Sequence, residues 1–223
     1  MSKIKSLVAV AVTTGLLMTG VTATQAATKT LTLGVVADVT SFAASQGEYG
    51  NRAWYYQAVY DTLLKKKEDA SLIPGLASSW KYNADQTVLT LNLRPGQKFT
   101  DGTAEDASAV VKNLVANRDG KGPNAPYLAS MKSAVAKGAN TVVITLTDND
   151  PAFLENLSDT AGLIASPKSI GAANAKTAPV GAGPYIFNAK ASKFGDHYSF
   201  TANPKYWDAK NVTYKTLTLK YIQ

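Results

Sequence analysis

An α+β fold built around a mixed sheet is the architecture this sequence predicts, and three observations carry it. Short runs rich in β-branched residues alternate apolar with polar positions, as at residues 30–36 and 141–146. Other windows place apolar residues at helical spacing, and Pro, Gly, Asn and Asp punctuate the boundaries between the two kinds of segment. No repeat and no low-complexity block interrupts the mixture, which argues for hairpins and helices packed into one lobe.

Residues 30–36 read as the first strand, followed by a polar loop over 37–51. Trp54, Tyr55, Val59, Leu63 and Leu64 then predict a helix over 52–64. Residues 80–82 and 88–93 form strands around the turn-like Asn83-Ala84-Asp85-Gln86. Asp106 is placed to cap a helix running through Val110, Val111, Leu114 and Val115. Residues 120–126 hold two glycines and two prolines, which is loop chemistry. A strand follows at 141–146, and Pro151 suits the first turn of a helix leading into Phe153, Leu154 and Leu157. Further strands are expected at 185–188, 198–202 and 216–222, each with one wet and one buried face.

The first 26 of the 223 residues read as a cleaved secretory signal. Lys3 and Lys5 make a positive start, residues 6–23 carry no charge, and Ala23 or Ala26 offers a cleavage point. Thr13, Thr14, Gly15, Thr19 and Gly20 interrupt the apolar run, which argues against a retained membrane helix. Residues 27–223 are then the exported lobe. Of 23 basic residues, Lys3 and Lys5 leave with the signal, so 21 remain against 16 acidic ones. That mild excess is spread out. Its one dense run, Lys65-Lys66-Lys67, precedes Glu68 and Asp69 and reads as a solvated helix end, not a nucleic-acid patch. The absence of cysteine means no disulfides and no lipidated cysteine to tether the chain, so a free periplasmic protein fits.

Four stretches carry distinctive wording. Leu72-Ile73-Pro74-Gly75-Leu76-Ala77 leads to Trp80, and Leu93-Arg94-Pro95-Gly96 leads through Lys98 and Phe99 to Asp101-Gly102. Pro179-Val180-Gly181-Ala182-Gly183-Pro184-Tyr185 and Asn203-Pro204-Lys205-Tyr206-Trp207 follow later. In this order they resemble the family 5 extracellular solute-binding proteins, the capture subunits of ABC importers for peptides, nickel and related solutes. The aromatics of these motifs read as packing and their Pro-Gly pairs as turns. The wording departs from the family at Ala104 for a Pro, Asp106 for a Thr cap, Ala109 for an Asp, and Ala43-Ala44 for an Asp-Pro pair.

Catalytic readings fail on the residues. Gly181-Ala182-Gly183 is followed by Pro184 and a strand, so it is no nucleotide loop. There is no cysteine and no Gly-x-Ser-x-Gly, and the single His197 has no recognisable carboxylate partner and reads as a surface residue. A histidine-based metal site is unsupported. Asp148, Asp150, Glu155 and Asp159 read as a solvated loop and helix face.

The resemblance implies the N-terminal lobe of a type II, cluster C-like periplasmic binding protein whose second lobe is absent here. It implies a non-catalytic substrate-binding component that needs no cofactor and captures oligopeptides or similar small solutes in the periplasm. The implied partners are the solute and the membrane permease subunits of an ABC transporter, with no nucleic acid. Within residues 46–54, Glu48, Gly50 and Asn51 match positions that offer a carboxylate and backbone groups to ligand, with Tyr49 and Trp54 beside them. The same segment reads equally as a plain capped loop. A stand-alone secreted interaction module and a secreted enzyme with an unfamiliar site are the alternatives. Without a second lobe, the strand at 216–222 is expected to present an uncovered edge.

Overall fold

The computed structural model describes residues 29–222; the expected signal segment lies outside them. From the N-terminus, β1 (Thr30–Val35) leads through a long loop to α1 (Ala53–Val59) and the short strands β2 (Asp61–Thr62), β3 (Leu64–Lys66) and β4 (Leu72–Pro74). β5 (Ala77–Tyr82) and β6 (Val88–Leu93) precede α2 (Ala107–Asp119), then β7 (Met131–Lys137) and β8 (Thr141–Leu146). The one-turn α3 (Phe153–Asn156) and β9 (Leu163–Ile164) lead to β10 (Tyr185–Phe187), β11 (His197–Ala202) and β12 (Thr216–Tyr221).

Two four-stranded sheets organise two cores. One is antiparallel, in the order β5-β6-β8-β7. Its strands bury every second side chain, Leu89, Leu91 and Leu93 from β6 and Val142, Ile144 and Leu146 from β8, and α2 covers that face with Ala107, Val110 and Leu114. The carboxylate of Asp106 accepts from the Ala109 amide at 2.9 Å, so the expected cap forms. Asn113 is buried on α2, yet its side chain exchanges two hydrogen bonds with the backbone of Ala165 (2.8 and 3.0 Å), tying the helix to the segment after β9.

The second sheet is mixed, in the order β1-β12-β11-β10, with β1 parallel to β12 and the other pairs antiparallel. Phe42, Tyr55, Phe187, Tyr198 and Phe200 fill the core against it. Phe42 lies 5.0 Å from Phe187, and Tyr55 lies 5.1 Å from Tyr198 between ring centroids.

Three expectations are corrected. The helix expected to reach residue 64 stops at Val59, with Tyr60 extended at φ −105 and ψ 146. Crossing segments take over its backbone groups: the Gly183 amide donates to the Val59 carbonyl (2.9 Å) and the Leu63 amide donates to the Gly162 carbonyl (3.1 Å). Leu63 and Leu64 turn into the first core instead. The lysine run is therefore no helix end, because Lys65 and Lys66 belong to β3, paired with β4. Finally, β12 is an interior strand, covered on one side by β1 and on the other by β11, with Leu217 and Leu219 buried.

The glycines of the Gly181-Ala182-Gly183 motif are required by a backbone crossing. A Cβ on Gly181 would stand 2.1 Å from the Val59 carbonyl oxygen, and one on Gly183 would stand 2.6 Å from the Val59 carbonyl carbon.

Candidate functional site

The loop between β1 and α1 is held down by phenols and one guanidinium. Tyr60 donates to the Phe42 carbonyl (2.7 Å), Tyr56 to that of Ser41 (2.8 Å), and Arg52 through Nε to that of Asp38 (2.6 Å). Tyr198 adds a bond from its hydroxyl to the Asp38 carboxylate at 2.6 Å. With Tyr55, Tyr56 and Val59 committed to the core, Trp54 and Gln57 fall on the opposite, exposed side of α1.

That side forms one wall of an open cleft of about 680 Å³. Tyr49 and Trp54 present their rings to it, 66% and 55% exposed, although aromatics of this size usually find cover. Of the five residues expected at the site, these two line the cleft. Glu48 does not: its carboxylate is taken by Arg52 (2.6 Å) and by the Thr40 hydroxyl (3.1 Å). Gly50 takes φ 73 to start a short 3-10 turn, and Asn51 is exposed within that turn; neither lines the cleft.

Sequence reasoning missed the floor. Lys65, Lys66 and Lys67 line the cleft together with Asp61, Glu68 and Asp159, so its charges balance. Lys66 is spoken for by Glu155 at 2.6 Å, and this bond raises the lysine pKa. Lys67 and Glu68 are exposed and form no ion pair among the described residues. Burial raises the pKa of the half-buried Asp159, opposed by the Thr160 amide it accepts from at 2.7 Å.

Beneath the floor sits a polar knot. Asp61, 2% exposed, accepts from Trp207 Nε1 and from the Thr62 amide (3.2 Å), with Lys65 Nζ at 3.6 Å and the Tyr206 hydroxyl at 3.4 Å. Lys65 also donates to the Tyr206 hydroxyl. The Arg94 guanidinium stacks 3.7 Å from the centre of the Trp207 ring. Tyr206, expected only to pack, thus lines the cleft, and Trp207 supports it through Asp61. No local signal marks them, because Asp61, Lys65 and Tyr206 meet only through the fold.

Among the described residues, no group of three or more His, Cys, Asp or Glu could hold a metal ion. His197 does have a carboxylate neighbour, correcting the expectation: Nδ1 lies 3.5 Å from Asp196, on an exposed strand end away from the cleft. No helix among the described residues is long and apolar enough to cross a membrane.

The family model described as "Bacterial extracellular solute-binding proteins, family 5 Middle" matches residues 71–223. The chain belongs to that family. It is 32% identical over 167 residues to the nickel-binding periplasmic protein of Escherichia coli K12, covering 72% of this chain and 31% of that protein. It is 32% identical over 153 residues to the glutathione-binding protein GsiB of Pectobacterium atrosepticum, covering 64% of this chain and 30% of GsiB. Among solved structures, MoaA of A. tumefaciens R10 in complex with mannopinic acid superimposes with a TM-score of 0.79 at 28% identity, over 88% of this chain and 41% of MoaA. The chain thus spans about a third of the length of the curated relatives it matches. The expected mixed-sheet lobe of a periplasmic binding protein is the fold observed, and the proteins it matches are binding proteins by name, not enzymes.

Proposed function

We propose that this lobe belongs to the substrate-binding component of an ABC importer and forms one wall of a cleft that captures oligopeptides or similar small solutes in the periplasm. The observation that carries the reading is the pair of exposed rings, Tyr49 from a loop held down by four side-chain bonds and Trp54 from the start of α1, both facing an open cleft. Aromatics on a fixed loop and the helix that follows it are a low-entropy way to cover a solute side chain. Lys67 and Glu68 add one free charge of each sign, which suits a zwitterion. The glutathione-binding relative supports the peptide class, since glutathione is itself a small peptide. Membrane permease subunits are the implied partners.

An indole-labelled sample tests it. Titrating the chain with short peptides should move the Nε1–H resonance of Trp54 and leave that of Trp80 in place. A peptide series that moves neither, or moves Trp80 alone, would remove the cleft from consideration.

A further inference from the structure

A smaller pocket lies beside the cleft and shares Tyr49 and Asp159 with it. Tyr127, Asn156, Thr160 and Ala161 complete its lining, around a space of about 90 Å³. Tyr127 comes from the 3-10 turn Ala125–Leu128 and is 49% exposed, so a second aromatic ring stands open here.

The walls are fixed to one another. The Asn156 side chain donates through Nδ2 to the Tyr127 carbonyl (3.1 Å), and the Asp159 amide donates to the Asn156 carbonyl (3.2 Å). The Gly162 amide closes the turn on the Asp159 carbonyl (2.9 Å). On the other side, a Cβ added to Gly47 would stand 3.5 Å from the Thr160 Cβ. The loop that carries Tyr49 therefore lies directly against the segment that carries Asp159.

The chemistry of this lining is one-sided. The half-buried Asp159 carboxylate accepts from the Thr160 amide (2.7 Å) and forms no ion pair among the described residues. Lys66, the lysine that bears on it, is bonded to Glu155 at 2.6 Å. With its nitrogen engaged, the Asn156 amide keeps Oδ1 as an acceptor. Two phenol rings add negative π faces. No lysine, arginine or histidine lines the pocket, whereas three lysines line the cleft beside it. A carboxylate, an amide oxygen and two rings, with no positive side chain among them, complement an organic cation and repel an anion. The space, about three water volumes, admits an ammonium or guanidinium head group.

We propose that this side pocket takes the cationic group of the bound solute, an ammonium or a guanidinium, and so turns the cleft toward peptides with a lysine or arginine side chain. Tyr49 and Asp159 stand at the border of the two spaces, so a side chain that enters the pocket leaves its peptide backbone in the cleft, where Lys67 is available to a carboxylate. The peptide preference rests on the cleft being the solute site; the affinity of the pocket for a cation does not.

The test reads Tyr127 and Trp54 separately by nuclear magnetic resonance in the whole chain. Methylguanidinium alone should shift the Tyr127 ring resonances and leave the Trp54 Nε1–H in place. Acetyl-Ala-Lys-Ala should move both. Acetyl-Ala-norleucine-Ala, the same stem without the charge, should move Trp54 alone and bind about 5- to 30-fold more weakly. Asp159→Asn keeps an oxygen for the Thr160 amide and should abolish that difference, and Tyr127→Leu should reduce it. Equal affinity of the two capped peptides, or a Tyr127 ring indifferent to methylguanidinium, would overturn the proposal, while Trp54 shifts would still leave the cleft as the solute site. A Tyr127 shift from uncapped Ala-norleucine-Ala as large as that from the lysine peptide would give the pocket to an amino terminus and overturn the side-chain preference. Methylguanidinium at Tyr127 with Trp54 unmoved by every peptide would remove the cleft reading and keep the cation pocket.

Discussion

The indole of Trp207 donates to the carboxylate of Asp61, a residue 146 positions earlier in the chain, and this bond pins the segment after β11 against the start of β2. Lys65 completes the arrangement, its ammonium 4.8 Å from the centre of the Trp207 ring and 3.6 Å from the Asp61 carboxylate. An aromatic motif that identifies the family therefore also supports the cleft floor.

Trp207→Phe keeps a ring beneath Arg94 and Lys65 but removes the donor. The expected cost is about 1–3 kcal/mol, that of leaving a buried charged acceptor one bond short. Urea unfolding followed by circular dichroism measures it. A variant as stable as its parent would mean that water or Lys65 replaces the indole at no loss.

Phe42 is fully buried and touches Tyr55, Phe187, Phe194, Tyr198 and Phe200 in the second core. Phe42→Ala should cost about 3–5 kcal/mol, the transfer loss plus a cavity among rings that cannot easily collapse. Because Phe42 also accepts the Tyr60 bond through its backbone, Phe42→Leu should recover most of the loss. A loss below about 1 kcal/mol for the alanine variant would show a core that repacks freely.

Five buried tyrosines set an alkaline limit. Burial raises the phenols of Tyr55, Tyr56, Tyr60, Tyr198 and Tyr206, with further raising by Asp38 at Tyr55 and Tyr198, Glu48 at Tyr56 and Asp61 at Tyr206. That of Tyr56 is pushed up to about 12. The folded chain thus holds protons that the unfolded chain releases near pH about 10, and stability falls as pH rises through that value. Ultraviolet difference absorbance should show these five ionising together with unfolding, after the exposed tyrosines. Independent ionisation of all eleven tyrosines near pH about 10, with the fold intact, would contradict the burial described.

Much of the fold is legible in local pattern. The strand at Thr141–Leu146 and the cap by Asp106 have the expected bounds and partner, because alternation and capping are short-range effects. β7 escaped notice because its run, Met131-Lys132-Ser133-Ala134-Val135-Ala136-Lys137, is an edge strand with little β-branched content, defined mainly by its pairing with β8. The end of α1 at Val59 and the interior place of β12 depend on partners far away in sequence, Gly183 in one case and β1 in the other.

The candidate site was half legible. Tyr49 stands out as an aromatic in a polar loop and Trp54 as one at the start of the helix after it, and both reach the cleft. Glu48 looked like a ligand carboxylate, but a residue four positions on, Arg52, neutralises it. Asp61, Lys65 and Tyr206 were hidden because their meeting is a property of the fold and not of any one segment.

The most direct test of the account compares two exposed aromatics, Trp54 in the cleft and Phe194 outside it. With a peptide that binds the parent chain, or a full-length protein carrying this lobe, titration calorimetry would be run on Trp54→Ala and Phe194→Ala, each shown to be folded. The account predicts a loss of about 5- to 150-fold in affinity for Trp54→Ala, equivalent to about 1–3 kcal/mol of covered ring surface, and no change for Phe194→Ala. Unchanged affinity in Trp54→Ala, or a loss confined to Phe194→Ala, would contradict it and move the solute to another face.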